Sequence, residues 1–380
     1  MNYLTDKTIV LGVSAGAAIY KSLEFIRLLV KNGVKVYPVL TENAAKMISR
    51  ELFSAIAGEN IGDAMAHISL KKADLVCVLP ATANIISKIA YGFADDLLTT
   101  TVLASEAPLM VVPAMNDAMW RKPVIVENVE KLRSRGVTLC GPVYGGLACG
   151  DEGLGRMAPL DMVFAYMERI FAPKNLSGKK ILITAGPTVE MWDSVRCITN
   201  LSSGKTGYSL AKEAWLRGAD VTLVSGPVAL EKPYDMEVAN VVSADEMFEA
   251  VKARFAGCSH FVSCAAVCDF KPQKIFGKMK KAYGVPDVKW LPTPDILKWA
   301  GENKKRQVVV GFALEDSDVE ANAKVKMVEK NCDFMVANHI SNIGAESSFA
   351  TVLSGNGSGV SVSGNKSHEL ASSIWDAIMV

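Results

Sequence analysis

The sequence predicts an α/β protein of two domains, each built on a mostly parallel sheet covered by helices. Three observations carry this. The chain begins the same kind of unit twice, near Lys7 and again at Lys179. Short apolar runs alternate with segments of helical spacing after each start. A length of 380 residues also exceeds one ordinary core. Strand–helix alternation of this kind gives a mostly parallel sheet, and such sheets bind ligands at the carboxyl ends of their strands.

The elements follow in order. Lys7–Val13 is apolar and β-branched and leads into the glycine-rich turn Gly12–Ala18. Lys21–Asn32 has apolar residues at helical spacing (Leu23, Phe25, Ile26, Leu29, Val30). Gly33 stops that helix, and Val34–Leu40 reads as the next strand. In the second start, Lys180–Thr184 is a strand, Gly186–Gly207 a polar glycine-bearing loop and Tyr208–Arg217 a helix. Gly218 stops it before the strand Asp220–Ser225. Asp74–Leu79, Leu109–Val112, His260–Ala265, Gln307–Phe312 and Asp333–Ala337 are expected as strands buried on both faces, and Asp318–Asn331 as a helix. The segment Phe171–Gly178 (FAPKNLSG) reads as the linker, which gives domains 1–172 and 178–380.

Composition narrows the function classes. A net charge of +1 gives no reason to expect nucleic acid or a membrane surface as partner. The first residues lack a basic stretch, a long apolar run and a cleavage site, and no apolar run is long enough to cross a bilayer. The expected compartment is the cytoplasm. The eight cysteines form no CxxC pair and show no zinc-like spacing, so most are expected as buried thiols.

Four loops follow strands in the first half: Gly12-Val-Ser14-Ala-Gly16, Thr41-Glu-Asn-Ala44, Pro80-Ala81-Thr82-Ala-Asn84 and Pro113-Ala-Met-Asn116-Asp-Ala-Met119-Trp120. Small residues in the first let backbone N–H groups approach a phosphate at a helix N-terminus. Alone, that loop is equally well a tight strand–helix turn, because it is not a full GxGxxG. Thr41 offers a hydroxyl and an N-cap. Taken together, GVSAGAAIYK, PATAN, PAMNDAMW and ACGDEGLGRM resemble the motifs of the flavin-dependent cysteine decarboxylases, over nearly all of residues 1–170.

The resemblance implies a flavodoxin-like domain that binds FMN through Gly12, Ser14, Thr41, Ala81, Thr82 and Asn84. His67 matches the family's active-site histidine, Asn116 the residue that holds the substrate carboxylate, and Cys149 the proton donor on a flap-like loop. Met119, Arg156 and Met157 match substrate contacts. The chemistry needs such a site: loss of CO₂ from a cysteine carboxylate leaves a carbanion, and a flavin that first oxidises the cysteine side to a thioaldehyde gives those electrons a place to go. Read singly, His67 is an ordinary structural histidine and Met119 plain packing. It is the order of His67, Asn116 and Cys149 along the chain, matching the family's, that implies a site role for them.

The second half contains ITAGPT, VRCITNLSSGKTG, CAAVCDF, KMKK (Lys278–Lys281), TPDIL and GFALE. SGKTG is not a P-loop, because Thr199 stands where GxxxxGK[ST] needs glycine. These segments are similar to phosphopantothenate–cysteine ligase over about residues 178–340, so the whole chain resembles the bifunctional bacterial decarboxylase–ligase, with two Rossmann-like domains. The resemblance implies CTP-dependent formation of an acyl-cytidylate. Ser263, Cys264, Ala265, Asp269, Lys278, Thr293, Pro294, Asp295, Ile296, Phe312, Lys326 and Lys330 match nucleotide contacts. Asp269 matches a carboxylate that helps place Mg²⁺, a hard cation that takes oxygen ligands. Asn200 matches the residue that converts the acyl-nucleotide, and Arg196 one that holds the substrate's negative charge. Lys326 and Lys330 also share a helix face as i,i+4 neighbours, a pattern that on its own favours a solvated charged face.

The chain departs from the ligase pattern at Val189, Thr293, Lys205-Thr206 and Ser347–Val352. The resemblance further implies homo-oligomers: trimers of the first domain, dimers of the second, and an assembly such as a dodecamer. Two rival readings remain. A regulatory flavoprotein with an inactive ligase half is opposed by the retained Cys149, Lys278 and Asn200. A nicotinamide oxidoreductase is opposed by the lack of GxGxxG with an acidic residue about twenty positions on.

Overall fold

The computed structural model describes residues 2–59, 70, 72–148, 150–280, 284, 287–342, 348–355 and 357–379. The chain divides into two compact units, Asn2–Ala172 and Pro173–Val380.

In the first unit, β1 (Thr8–Val13), β2 (Lys35–Leu40), β3 (Leu75–Ala81), β4 (Leu109–Pro113) and β5 (Thr138–Leu139) form one parallel sheet in the order β2-β1-β3-β4-β5. This is the flavodoxin-like order. Ile9, Val10, Leu11 and Val13 are all buried, as a strand covered on both faces requires. The helix Tyr20–Lys31 buries Ser22, Phe25, Ile26 and Leu29, spaced 3, 1 and 3 residues apart along one stripe. Burial of each large apolar side chain contributes about 1.5–3 kcal/mol. A separate antiparallel hairpin, β6 (Val143–Gly146) with β7 (Glu152–Arg156), follows the sheet.

In the second unit the main strands are β8 (Lys180–Ala185), β11 (Asp220–Ser225), β12 (Glu237–Asn240), β13 (His260–Ser263), β16 (Val308–Glu315), β17 (Phe334–His339), β18 (Ser348–Ser354) and β19 (Gly359–Gly364). Their order is β12-β11-β8-β13-β16-β17-β18-β19. The first six are parallel, in the doubly wound order of a Rossmann sheet. The last two close the edge antiparallel. Two short antiparallel pairs stand outside it: β9 (Val189–Met191) with β10 (Cys197–Thr199), and β14 (Phe270–Pro272) with β15 (Trp290–Pro292). The first pair lies inside Gly186–Gly207, so that polar glycine-bearing stretch is not all loop. The helix Lys205–Leu216 packs on this sheet, and the buried guanidinium of Arg217, just past its end, joins it to the helix Ser367–Ile378. Arg217 bonds Glu213 (2.7 Å), Asp376 (2.6 Å) and the Ser372 hydroxyl (2.8 Å).

Candidate active sites

The carboxyl end of the first sheet opens onto a cavity of about 1110 Å³. It lies where β1 and β3 lead off to opposite sides of the sheet. Loops after β1 (Ser14–Ala18), β2 (Thr41–Asn43), β3 (Thr82–Ile85) and β4 (Ala114–Asn116) line it, together with the β6–β7 hairpin. A pocket for one small ligand spans about 300–1,000 Å³, so this space accommodates a flavin with a substrate beside it.

The loops are tied to one another. Ser14 is 2% exposed; its hydroxyl donates to the Pro80 carbonyl (2.8 Å), lies 3.2 Å from the Thr82 hydroxyl and accepts from the Thr82 N–H (3.1 Å). Thr41 caps the helix Glu42–Met47 by accepting from the Ala44 N–H (3.3 Å). Asn116 caps the turn Asp117–Trp120 by accepting from the Ala118 N–H (2.8 Å), which leaves Met119 on the same cavity wall. The hairpin is stitched to that turn: Met115 N–H donates to the Gly155 carbonyl (3.0 Å), and Leu154 N–H to Asp117 (2.8 Å). A Cβ on Gly155 would fall 2.3 Å from the Met115 carbonyl oxygen, so the approach needs glycine. Lys88, on the wall, pairs with Asp95 at 2.5 Å and holds that carboxyl below its usual range.

Of the residues matched to flavin, Ser14, Thr41, Thr82 and Asn84 line the cavity, and Asn116, Met119, Arg156 and Met157 join them. Gly12 and Ala81 do not. Gly12 lies within β1, where a Cβ would strike Leu98 at 2.3 Å, and Ala81 is fully buried at the end of β3. His67 and Cys149 lie outside the described residues; Gly146, Leu147 and Ala148, just before Cys149, are on the wall.

In the second unit the sheet reverses between β8 and β13. The loop Cys264–Cys268 there is clamped by its neighbours. The N–H groups of Cys264 and Ala265 both donate to the Thr184 hydroxyl (3.2 Å each), and that of Ala266 to the Gly186 carbonyl (2.9 Å). Cys268 N–H donates to the Thr188 hydroxyl (3.0 Å). The Asn200 amide donates to the Ala266 and Val267 carbonyls (3.1 Å each). ITAGPT and Asn200 therefore shape the loop that carries Cys264 and Ala265 and leads into Asp269. Burial pushes the Cys264 thiol up to about 12, so it stays protonated. Thr293 ties the next motif in: its N–H donates to the Asp269 carbonyl (3.0 Å) and its hydroxyl to that of Cys268 (2.5 Å). Asp295 caps the helix Ile296–Asn303 (Lys298 N–H, 2.9 Å) and pairs with Lys330, while Lys326 pairs with Glu315 at 2.5 Å. Phe312 is half-buried in β16, with Ile296 buried nearby in sequence to Asp295.

Asp193 bonds both Arg196 and the backbone next to Lys278. This carboxylate is 0% exposed and accepts from the N–H groups of Val195 and Arg196 (2.7 Å each) and Met279 (3.2 Å), and from the Arg196 guanidinium (2.5 Å). Burial alone would raise its pKa; the three N–H donors and the guanidinium overcome that and hold it at about 2.

A family model described as Flavoprotein matches residues 2–171, and one described as DNA/pantothenate metabolism flavoprotein C-terminal domain matches residues 176–380. A coenzyme A biosynthesis bifunctional protein CoaBC of Vibrio parahaemolyticus is 44% identical over 355 residues, covering 90% of this chain and 89% of that one. The chain belongs to the CoaBC family. The Bacillus subtilis CoaBC is 40% identical over 369 residues, covering 92% of this chain and 91% of its own. A crystal structure of the C-terminal domain of a CoaBC protein matches with a TM-score of 0.48 at 36% identity, over 54% of this chain and 96% of that one.

As a CoaBC family member the chain is a bifunctional enzyme of coenzyme A biosynthesis, with a decarboxylase and a ligase activity. Among the described residues, the motif loops of the first unit line one cavity at the reversal point of its sheet, and ITAGPT, Asn200, CAAVCDF and Thr293 are bonded together at the reversal point of the second. Thr184 and Thr188 belong to ITAGPT, but their hydroxyls' bonds to the Cys264–Cys268 loop are visible only in the fold, and Asp193 lies in none of the motifs. The signal for Asp193 was an Asp three residues before an Arg, which by itself reads as a common turn.

Proposed function

We propose that the second unit joins 4′-phosphopantothenate to cysteine using CTP, through an acyl-cytidylate, and that the first unit then decarboxylates the resulting 4′-phosphopantothenoylcysteine with FMN to give 4′-phosphopantetheine. The observation that carries the reading is the cavity of the first unit. Ser14, Thr82 and Asn84 line it together with Asn116 and Met119, at the reversal point where doubly wound sheets bind nucleotides.

The residues fit a flavin. Small side chains at Ser14–Ala18 leave the backbone open to a phosphate ahead of the helix Tyr20–Lys31. When bound, FMN would supply a two-electron oxidation that turns the cysteine side into a thiocarbonyl able to accept the electrons of the departing carboxylate, and the same two electrons would go back to the product as hydride, so the reaction is redox-neutral overall. Asn116 orients the substrate carboxylate with its amide, Arg156 and Met157 hold the substrate, and His67 assists at the reacting centre. Cys149 returns the proton to the enethiolate from the loop that follows Ala148.

In the ligase half, Lys278, Lys326 and Lys330 receive the CTP phosphates, and Asp269 helps place Mg²⁺. Ser263, Cys264, Ala265, Thr293 to Ile296 and Phe312 form the nucleotide's surroundings. Arg196 holds the negative charge of 4′-phosphopantothenate, and Asn200 acts on the acyl-cytidylate as cysteine attacks. The substrates are small and diffusible, and the enzyme works in the cytoplasm. Exposed Tyr91 and Phe93 on the first unit, and Phe270, Phe276 and Trp290 on the second, support trimer and dimer contacts within a larger homo-oligomer such as a dodecamer.

The test is a paired assay on the full-length chain. The purified protein is expected to be yellow with a flavin absorption band. Lys278→Gln should abolish CTP-dependent pyrophosphate release and leave decarboxylation unchanged, while Cys149→Ser should retain flavin and stop at the oxidised enethiol. A colourless protein that takes up no FMN, or one releasing pyrophosphate equally well after Lys278→Gln, would overturn the assignment of the corresponding half.

A further inference from the structure

The turn before β10 contains a buried carboxylate that touches two segments at once. Oδ1 of Asp193 accepts from the N–H groups of Val195 and Arg196, 2.7 Å each, and this alone closes the turn. Oδ2 does something different. It accepts from the Arg196 guanidinium (2.5 Å) and from the N–H of Met279 (3.2 Å), a residue 86 positions along the chain. The same arginine donates to the Met279 carbonyl (3.3 Å), and Ser194 N–H donates to the Gly277 carbonyl (3.3 Å). Lys278 therefore sits between two residues that are both bonded to the Asp193 turn. Trp192, whose carbonyl accepts from the Ile275 N–H at 2.8 Å, extends the seam by one more bond.

We infer that Asp193 is a positioning residue of the ligase site: its Oδ2 sets the heading of Arg196 and fixes the Lys278 segment together. The cation for the pantothenate's charge and the cation for the triphosphate are thus delivered as one unit. The inference rests on the ligase reading above. Its chemistry is specific to a carboxylate. Asparagine keeps Oδ1 and so keeps the turn, but it places a donor where two donors already point. A residue needed only for the turn would tolerate that exchange.

The experiment uses the full-length chain with CTP, 4′-phosphopantothenate and cysteine, following pyrophosphate release, with decarboxylation in the same protein as the internal control. Asp193→Asn is expected to lower kcat/KM for ligation at least about tenfold, since small misplacements of binding groups cost that much or more. KM for both CTP and 4′-phosphopantothenate should rise, decarboxylation should hold, and Asp193→Glu should recover part of the loss. In an Arg196→Gln background the effect of Asp193→Asn should shrink, because one of the two groups it positions is already gone. Parental ligation by Asp193→Asn, or losses that multiply in full with Arg196→Gln, would overturn the role. If the asparagine variant loses its second unit's fold, the same cycle run with Asp193→Glu decides by the same criterion. A parent chain that releases no pyrophosphate overturns the ligase reading and this role with it. An active parent beside an unaffected variant overturns the role alone.

Discussion

Replacing Gly155 by alanine should uncouple the two activities. The added Cβ would lie 2.3 Å from the Met115 carbonyl oxygen and 3.2 Å from both the Asn116 carbonyl carbon and the Asp117 nitrogen. All three are backbone atoms, so no side chain can swing aside. Ordinary contact begins near 3.4 Å, and the hairpin must therefore withdraw from the Asn116 turn by about 1 Å. That withdrawal strains two bonds, Met115 N–H to Gly155 (3.0 Å) and Leu154 N–H to Asp117 (2.8 Å). At about 0.5–1.5 kcal/mol each, their loss costs about 1–3 kcal/mol of local order. The functional cost is larger, because the hairpin carries Arg156, and a 1 Å misplacement of a positioning group costs about 100-fold in rate. The assay is CO₂ release from phosphopantothenoylcysteine beside CTP-dependent pyrophosphate release in one preparation. Decarboxylation should fall about 100-fold and ligation should not change. A Gly155→Ala chain that decarboxylates within about threefold of the parent would show that the close approach does not govern the geometry of the site.

Three further outcomes follow from buried groups. Thr184→Val keeps the shape but takes the acceptor from two N–H groups, Cys264 and Ala265; a loss of about 2–4 kcal/mol in the second unit is expected, read as a lower Tm with a raised KM for CTP. Arg217→Met removes the guanidinium from Glu213 and Ser372 in the interior, and urea unfolding should register a loss of about 3–5 kcal/mol with the flavin cavity intact. His260 is buried beside Ser259 (3.0 Å) and Trp375, and burial, with a smaller push from Lys179, lowers its pKa. A depressed histidine adds stability that is fully present above its unfolded value of about 6.5 and is lost as pH falls through the folded one. Tm should therefore drop between pH 6.5 and more acidic values, and His260→Phe should flatten that slope; an unchanged slope would mean another group titrates there.

The parallel strands and their helices were legible because each has a strong period. Tyr20–Lys31 and Lys35–Leu40 fall within one residue of the pattern read from Leu23 to Leu40. The strand read as His260–Ala265 stops at Ser263 instead, because the N–H groups of Cys264 and Ala265 turn to the Thr184 hydroxyl. The pairs β9–β10 and β14–β15 were not legible. Strands of three residues with exposed side chains, such as Cys197 and Phe270, show no period, and only their partners reveal them. The same limit applies to the sites. Asn200, Arg196 and Lys278 stand in or beside recognisable motifs, whereas Asp193 bonds residues up to 86 positions away, a separation that a sequence window does not span.

On the proposal that Lys326 and Lys330 receive the CTP phosphates, their ion pairs with Glu315 and Asp295 change how a polyphosphate must arrive. Neither ammonium waits bare; each leaves a resident carboxylate when a phosphate takes its place. Capture is then a swap of counter-charges, and its driving force is the difference between two attractions. Added electrolyte weakens the old partnership along with the new one, so nucleotide affinity should respond to ionic strength less steeply than two uncommitted lysines would make it.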